Sequence, residues 1–307
     1  TLFYTKIHNE FFIFLGVALH YTIHHIKLFL PKFDKGVCYM IKWIISDMDG
    51  TLLVEPNKLP DDFDEIMDLL KQHNIMFSPA SGRQYQALVS QFPKYKDDLL
   101  FISENGTYVC QHDKEIFSAT LPDTAVQKII DETAKLPKVE IVLSGKKGGY
   151  IISQNKEFHD ELNLYYTQYK ILHDFSEVDD EIIKISLCDC FNRDSLNNVY
   201  KKFLPLADEM QVVLSSDIWV DIIPLGINKG VAIQKLQKKL NIKPEECVAF
   251  GDYLNDYEMM QSVYYSYAME NAIPELKKVA RYIAPPNYKN GVVKTIRQLL
   301  AQQESNH

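Results

Sequence analysis

Two aspartates split by one residue, Asp47-Met48-Asp49, followed by Gly50-Thr51, stand at the end of an apolar run and carry the most chemistry in the chain. At a strand end such a pair cannot be buried without a large desolvation cost unless a cation or protons accompany it. Taken alone, the pentapeptide is also compatible with a solvated Asp-Gly turn, the less favoured reading. Three further segments argue against that. Residues 79–83, PASGR, offer the Ser81 hydroxyl and the Gly82 backbone N–H, donors suited to a phosphate oxygen. Residues 226–230, GINKG, put Lys229 at the start of a helix pattern, where a lysine can be aimed at a phosphate near a helix N-terminus. Residues 251–258, GDYLNDYE, crowd Asp252, Asn255 and Asp256 onto a strand-to-helix turn, where at most one of them serves as a cap. The serine and lysine segments are each an ordinary turn or surface site when read alone. All four in this order point to one chemistry.

These residues need elements to hold them. From Trp43 the chain alternates apolar runs with amphipathic stretches, the pattern of βαβ units and a parallel sheet. Strands are expected at residues 42–46, 75–81, 99–103, 247–251 and 265–269, with the ENG turn after the third. Phe63, Ile66, Met67 and Leu70 fall at helical spacing, with Asp61 as the expected N-cap after Pro60. A short helix is expected from about Asn255. Each charged motif thus follows a strand, at the edge where open α/β sheets bind ligands. Residues 121–224 read differently. They hold helix patterns at 124–136 and 194–206, strands at 139–143, 149–153 and 182–188, and a hairpin over 212–223. The expected organisation is a core of residues 40–120 and 225–307 interrupted by an α/β insert of residues 121–224.

The four motifs resemble those of the haloacid dehalogenase (HAD) superfamily of phosphohydrolases, particularly its Cof-type branch of sugar-phosphate phosphatases. The likeness spans Met40 to about Leu300 and includes IISDMDGTLL, SGR, ENG, GINKG, GDYLND and NAIPELKKVA followed by NGV. It implies a Rossmann-like parallel-sheet core with an inserted α/β cap domain, a Mg²⁺ ion and an aspartyl-phosphate intermediate. On the resemblance and on the chemistry of the residues, Asp47 is the expected nucleophile and Asp49 the general acid, then base. Mg²⁺ is expected on Asp47, the Asp49 backbone carbonyl and Asp252. The Met48 backbone N–H, Ser81, Gly82, Lys229 and Asn255 are expected to grip the phosphoryl oxygens. Asp256 is placed behind them, bonding a metal-bound water or orienting Lys229. In the insert, Lys146, Lys147, Gly148 and Gly149 form a loop that could reach a substrate but reads better as a solvated hairpin turn.

Composition bounds the partners. A net charge of −8 on 307 residues disfavours nucleic acid, and five cysteines without paired spacing make no disulfide framework, so a reducing cytosol is the expected home. The expected partner is a small phosphorylated metabolite, and composition selects no oligomeric state. A receiver domain would be shorter, with its acidic pair adjacent. A phosphomutase stays open as an alternative, as does a metabolite sensor, although a sensor has no need of both Asp47 and Asp49. Residues 1–39 are unlike the rest. Their apolar run is uninterrupted only from Phe11 to Leu19 before His20, His24, His25 and Lys27 enter it, short of the length of a membrane span. They are expected to be an extension outside the fold, with the functional protein starting at Met40.

Overall fold

The computed structural model describes residues 40–305, so the expectations for residues 1–39 lie outside the described residues. Its strands are β1 (Trp43–Ser46), β2 (Met76–Pro79), β3 (Leu100–Ser103), β4 (Tyr108–Gln111), β5 (Lys114–Ser118), β6 (Glu140–Gly145), β7 (Gly149–Ile151), β8 (Tyr169–Ile171), β9 (Ile182–Cys188), β10 (Met210–Leu214), β11 (Trp219–Pro224), β12 (Cys247–Gly251), β13 (Tyr265–Met269) and β14 (Tyr282–Ala284).

Five strands form a wholly parallel sheet in the order β14-β13-β12-β1-β2. Residues of β1 and β12 are buried throughout, as expected of near-continuous apolar runs covered by helices on both faces. Among the covering helices, Phe63–Gln72 turns Phe63, Ile66 and Leu70 into the core, where the Phe63 ring lies 5.6 Å from that of Phe77. Its N-cap position is Asp62, not the expected Asp61. The Phe63 N–H bonds back to the Pro60 carbonyl at 3.0 Å, closing a turn that delays the helix by one residue. Next to β2, the pairing of Ala80 with Ile102 brings in an antiparallel sheet, β3-β4-β5.

The third sheet has the order β10-β11-β9-β6-β7-β8, and all its strands come from residues 140–224. It is antiparallel apart from the β7–β8 pair. Alternation gives it two unlike faces. Ile141, Leu143, Ile185, Leu187, Val220 and Ile222 share a core with Val126 and Ile129 of helix Asp123–Thr133 and with Val199 and Phe203. The opposite face carries Ser144, Lys184, Ser186 and Asp221; Ser186 pairs in register with Asp221, and Ser144 with Lys184. The helix expected over 194–206 is present as an unbroken but irregular helical stretch, π-helical over Leu196–Tyr200, α-helical over Lys201–Phe203 and 3₁₀ over Leu204–Leu206. Pro205 inside it cannot donate to an α-helical ladder. Helix Lys156–Leu162, capped by the Asn155 side chain, and the three-residue β8 have no counterpart in the sequence expectations.

Candidate active site

The expected residues converge at the carboxyl end of the parallel sheet. Asp47 directly follows β1, Ser81 and Gly82 follow β2, and Asp252 directly follows β12. Lys229 opens the helix Lys229–Leu240, whose N-cap Asn228 accepts the Val231 N–H at 2.8 Å. Between β1 and the next segment, Gly50 adopts φ +76°, and a Cβ there would fall 2.2 Å from Asp252 Oδ2. Only glycine lets the two acidic loops come this close.

At the centre, Lys229 Nζ donates to Asp47 Oδ1 at 2.6 Å and to Asp256 Oδ1 at 2.8 Å, with the lysine wholly buried. Carboxylate oxygens of Asp47, Asp252 and Asp256 lie within 4.8 Å of one another. Thr51 Oγ1 donates to Asp252 Oδ1 at 3.0 Å, and the Asp252 N–H donates to Asp256 Oδ2 at 3.0 Å. One ammonium faces three carboxylates, so negative charge is in excess. Burial, with the Asp256 charge beside it, pushes Asp47 up to about 7 against the pull of Lys229. Burial and the charges of Asp47 and Asp256 push Asp252 up to about 9. Such a cluster either holds protons or takes a cation, and an all-oxygen donor set fits a hard divalent ion such as Mg²⁺.

Asp49 stands apart from that cluster. Its carboxylate, half exposed, is held by Arg83 through Nε–Oδ2 at 2.8 Å and Nη2–Oδ1 at 2.6 Å, and Arg83 Nη1 also reaches Asn57 Oδ1 at 2.6 Å. Arg83 belongs to the SGR segment and joins the site beyond the expected residues; an arginine beside a phosphate-type loop is the sequence signal that points to it. Met48 packs its side chain into the core, so any part it takes is through its backbone. Ser81 is buried, and its Oγ accepts the Arg83 N–H at 3.1 Å. Asn255 Nδ2 donates to Asn105 Oδ1 at 3.1 Å, and Asn105 Nδ2 donates to Asp221 Oδ2 at 3.2 Å. Asn105, Lys184 and Asp221 were not foreseen as site residues. Lys146 pairs with Glu115 and Glu181, and Lys147 is exposed beside Asp179, so that loop is a turn away from the cavity. The cavity, about 570 Å³, is roofed by the polar face of the six-stranded sheet and lined by Asp47, Asp49, Ser81, Gly82, Asp252 and Asn255 on the core side.

The family profile of haloacid dehalogenase-like hydrolases matches residues 44–296. The chain belongs to that family. It is 31% identical over 270 residues to the 5-amino-6-(5-phospho-D-ribitylamino)uracil phosphatase YbjI of Escherichia coli (strain K12), covering 86% of this chain and 97% of that protein. It is 26% identical over 240 residues to an HMP-PP phosphatase of Klebsiella pneumoniae (strain 342), covering 78% of this chain and 87% of the relative. Its fold is similar to that of SMU.1108c from Streptococcus mutans UA159, with a TM-score of 0.78 at 29% identity, covering 85% of this chain and 99% of the other. The resemblance to the HAD superfamily and its Cof-type branch is thus borne out, as is the α/β fold class. Both relatives carry phosphatase in their names, in keeping with the expectation of a hydrolase acting on phosphate esters. Among the described residues no helix is long and apolar enough to cross a membrane.

Proposed function

We propose that this HAD-family hydrolase is a Mg²⁺-dependent phosphatase that removes a single phosphoryl group from a small phosphorylated metabolite in the cytosol. The observation that carries the reading is the meeting of Asp47, Asp252 and Asp256 around Lys229 at the sheet's carboxyl end. Asp47, the Asp49 backbone carbonyl and Asp252 would hold Mg²⁺, which supplies positive charge between an anionic nucleophile and an anionic ester.

Asp47 attacks phosphorus and forms an aspartyl-phosphate, splitting hydrolysis into two easier steps. Lys229 holds Oδ1 of that carboxylate, fixing its direction of attack. Asp49 gives a proton to the leaving oxygen and later takes one from water. To reach either, it must leave its bidentate contact with Arg83. Ser81, the Gly82 and Met48 N–H groups, and Asn255 stabilise the phosphoryl oxygens. Residues 121–224 act as a cap domain on a core of residues 40–120 and 225–307, excluding water over the site. The leaving-group half of the cavity presents Ser186, Ser215, Ser216, Tyr165 and Trp219, which suits a hydroxyl-rich group such as a sugar or the ribityl chain named for the Escherichia coli relative. The test is release of phosphate from p-nitrophenyl phosphate with Mg²⁺ and with a chelator. Activity only with Mg²⁺ is expected; equal activity in both, or none in either, contradicts the reading.

A further inference from the structure

We propose that Lys184, on β9 of the inserted sheet, is a positioning residue for the phosphate-binding loop, so that this loop takes its working shape only with the inserted sheet docked. The inference rests on the assignment of Ser81 to the phosphate subsite.

Lys184 Nζ donates to the Gly82 carbonyl at 2.8 Å, pairs with Glu104 Oε2 at 2.6 Å and lies 3.9 Å from Asp221 Oδ1. Lysine and glutamate are 3% and 1% exposed, so water does not compete for these bonds. The Gly82 carbonyl and the Arg83 N–H belong to one planar peptide unit and point to opposite sides of it. A donor fixed on the carbonyl therefore aims the N–H, and that N–H bonds Ser81 Oγ. With its oxygen already accepting, the Ser81 hydroxyl keeps its own proton for a phosphate oxygen. A three-link chain thus runs from the inserted sheet to a phosphate-binding hydroxyl.

The second arm of the clamp holds the neighbouring loop. Glu104 N–H bonds the Arg83 carbonyl at 3.1 Å and Asn105 N–H bonds the Ser81 carbonyl at 3.0 Å. Glu104 and Asn105 sit at φ +51° and +56°, a backbone that L-residues hold only when surroundings enforce it. Asn105 in turn accepts from Asn255. Burial alone would pull Lys184 down, but the charges of Asp221 and Glu104 outweigh it and keep the ammonium protonated.

A lysine that merely balances Glu104 would be dispensable once Glu104 is neutral. The test therefore uses Lys184→Met combined with Glu104→Gln, and reads inorganic phosphate both as a competitive inhibitor and by calorimetry with Mg²⁺, beside the melting temperature. The pair is expected to fold, because a buried ion pair can be replaced by neutral groups at little cost. Its phosphate affinity and kcat/KM are expected to fall about 10–100-fold through misplacement of the loop, whereas Lys146→Met, which breaks another doubly paired lysine in the turn between β6 and β7, leaves both unchanged. Wild-type phosphate affinity in the folded pair overturns the proposal. Lys184→Arg is the second variant, keeping the charge but displacing the donor. Weakened phosphate binding there supports the tether, and undiminished binding overturns it. Failure of the wild-type protein to bind phosphate would instead refute the phosphatase reading.

Discussion

Among the described residues two lysines are buried between carboxylates, one in the core and one on the covered face of the inserted sheet, and they differ in what surrounds the acids. Around Lys229, three carboxylates share one ammonium. Around Lys184, the charge of Glu104 is matched by the lysine, and Asp221 accepts from Ser186 at 2.6 Å, Ser215 at 2.8 Å and Asn105 at 3.2 Å. A carboxylate satisfied by neutral donors needs no further charge. The first cluster is therefore open to a cation, and the second is closed on itself and serves to join two layers. A buried ion pair is not a function by itself; the balance of charge and donors around it separates a reactive site from a clamp.

The sharpest way to break that contrast is at the nucleophile. Asp47→Asn should fold and bind substrate yet lose turnover by about 10⁴–10⁶-fold, the scale on which removal of an attacking group is felt. Retained activity measured on p-nitrophenyl phosphate would move the chemistry elsewhere. Next comes Lys229→Met, which strands buried carboxylates and should cost about 3–5 kcal/mol in urea unfolding without Mg²⁺. Lys184→Met strands one buried carboxylate, Glu104, rather than three, since Asp221 keeps its three neutral donors, and should cost less; equal losses would erase the distinction.

The two clusters were not equally legible beforehand. Asp47, Ser81, Lys229 and Asp252 stand just past strands or at a helix start, where polar residues interrupt an apolar pattern and, taken in order, point to one chemistry. Lys184, Ser186 and Asp221 lie inside strands at alternate positions, a pattern identical to that of a sheet face turned to water. Only the docking of that face onto the core makes them interior, and one sequence does not state which layer covers which. Asp49 is legible as an acid beside the nucleophile, but its partner is not: only the fold brings Arg83 onto its carboxylate. The parallel sheet was readable almost strand for strand. In the insert, β9 was readable to the residue, but the exposed β8 and helix Lys156–Leu162 were too short and too polar to register.

A pH experiment sharpens the comparison further. Asp47 and Asp252 are pushed up to about 7 and about 9 from an ordinary 3.8 by burial and by each other's neighbours. Between about pH 4 and 9 these two groups thus hold more protons in the folded metal-free chain than in the unfolded one, and their contribution to stability falls as pH rises. Mg²⁺ competes with those protons. Its upward shift of the melting temperature should be small at pH 5 and about 5 °C or more at pH 8, with the ion near a hundredfold above its Kd. Equal shifts at both pH values would detach the ion from these carboxylates. The smallest effect belongs to the exposed turn: Lys147→Ala should change kcat/KM negligibly and the melting temperature by about 1 °C or less.

The central claim is that Asp47 and Asp252 share one divalent ion. Calorimetric titration of Mg²⁺ into wild-type protein and into Asp252→Asn tests it most directly. A single site in the wild type that is lost or severely weakened in the variant, with the fold intact by circular dichroism, is the predicted result. Unchanged binding in Asp252→Asn would contradict the account.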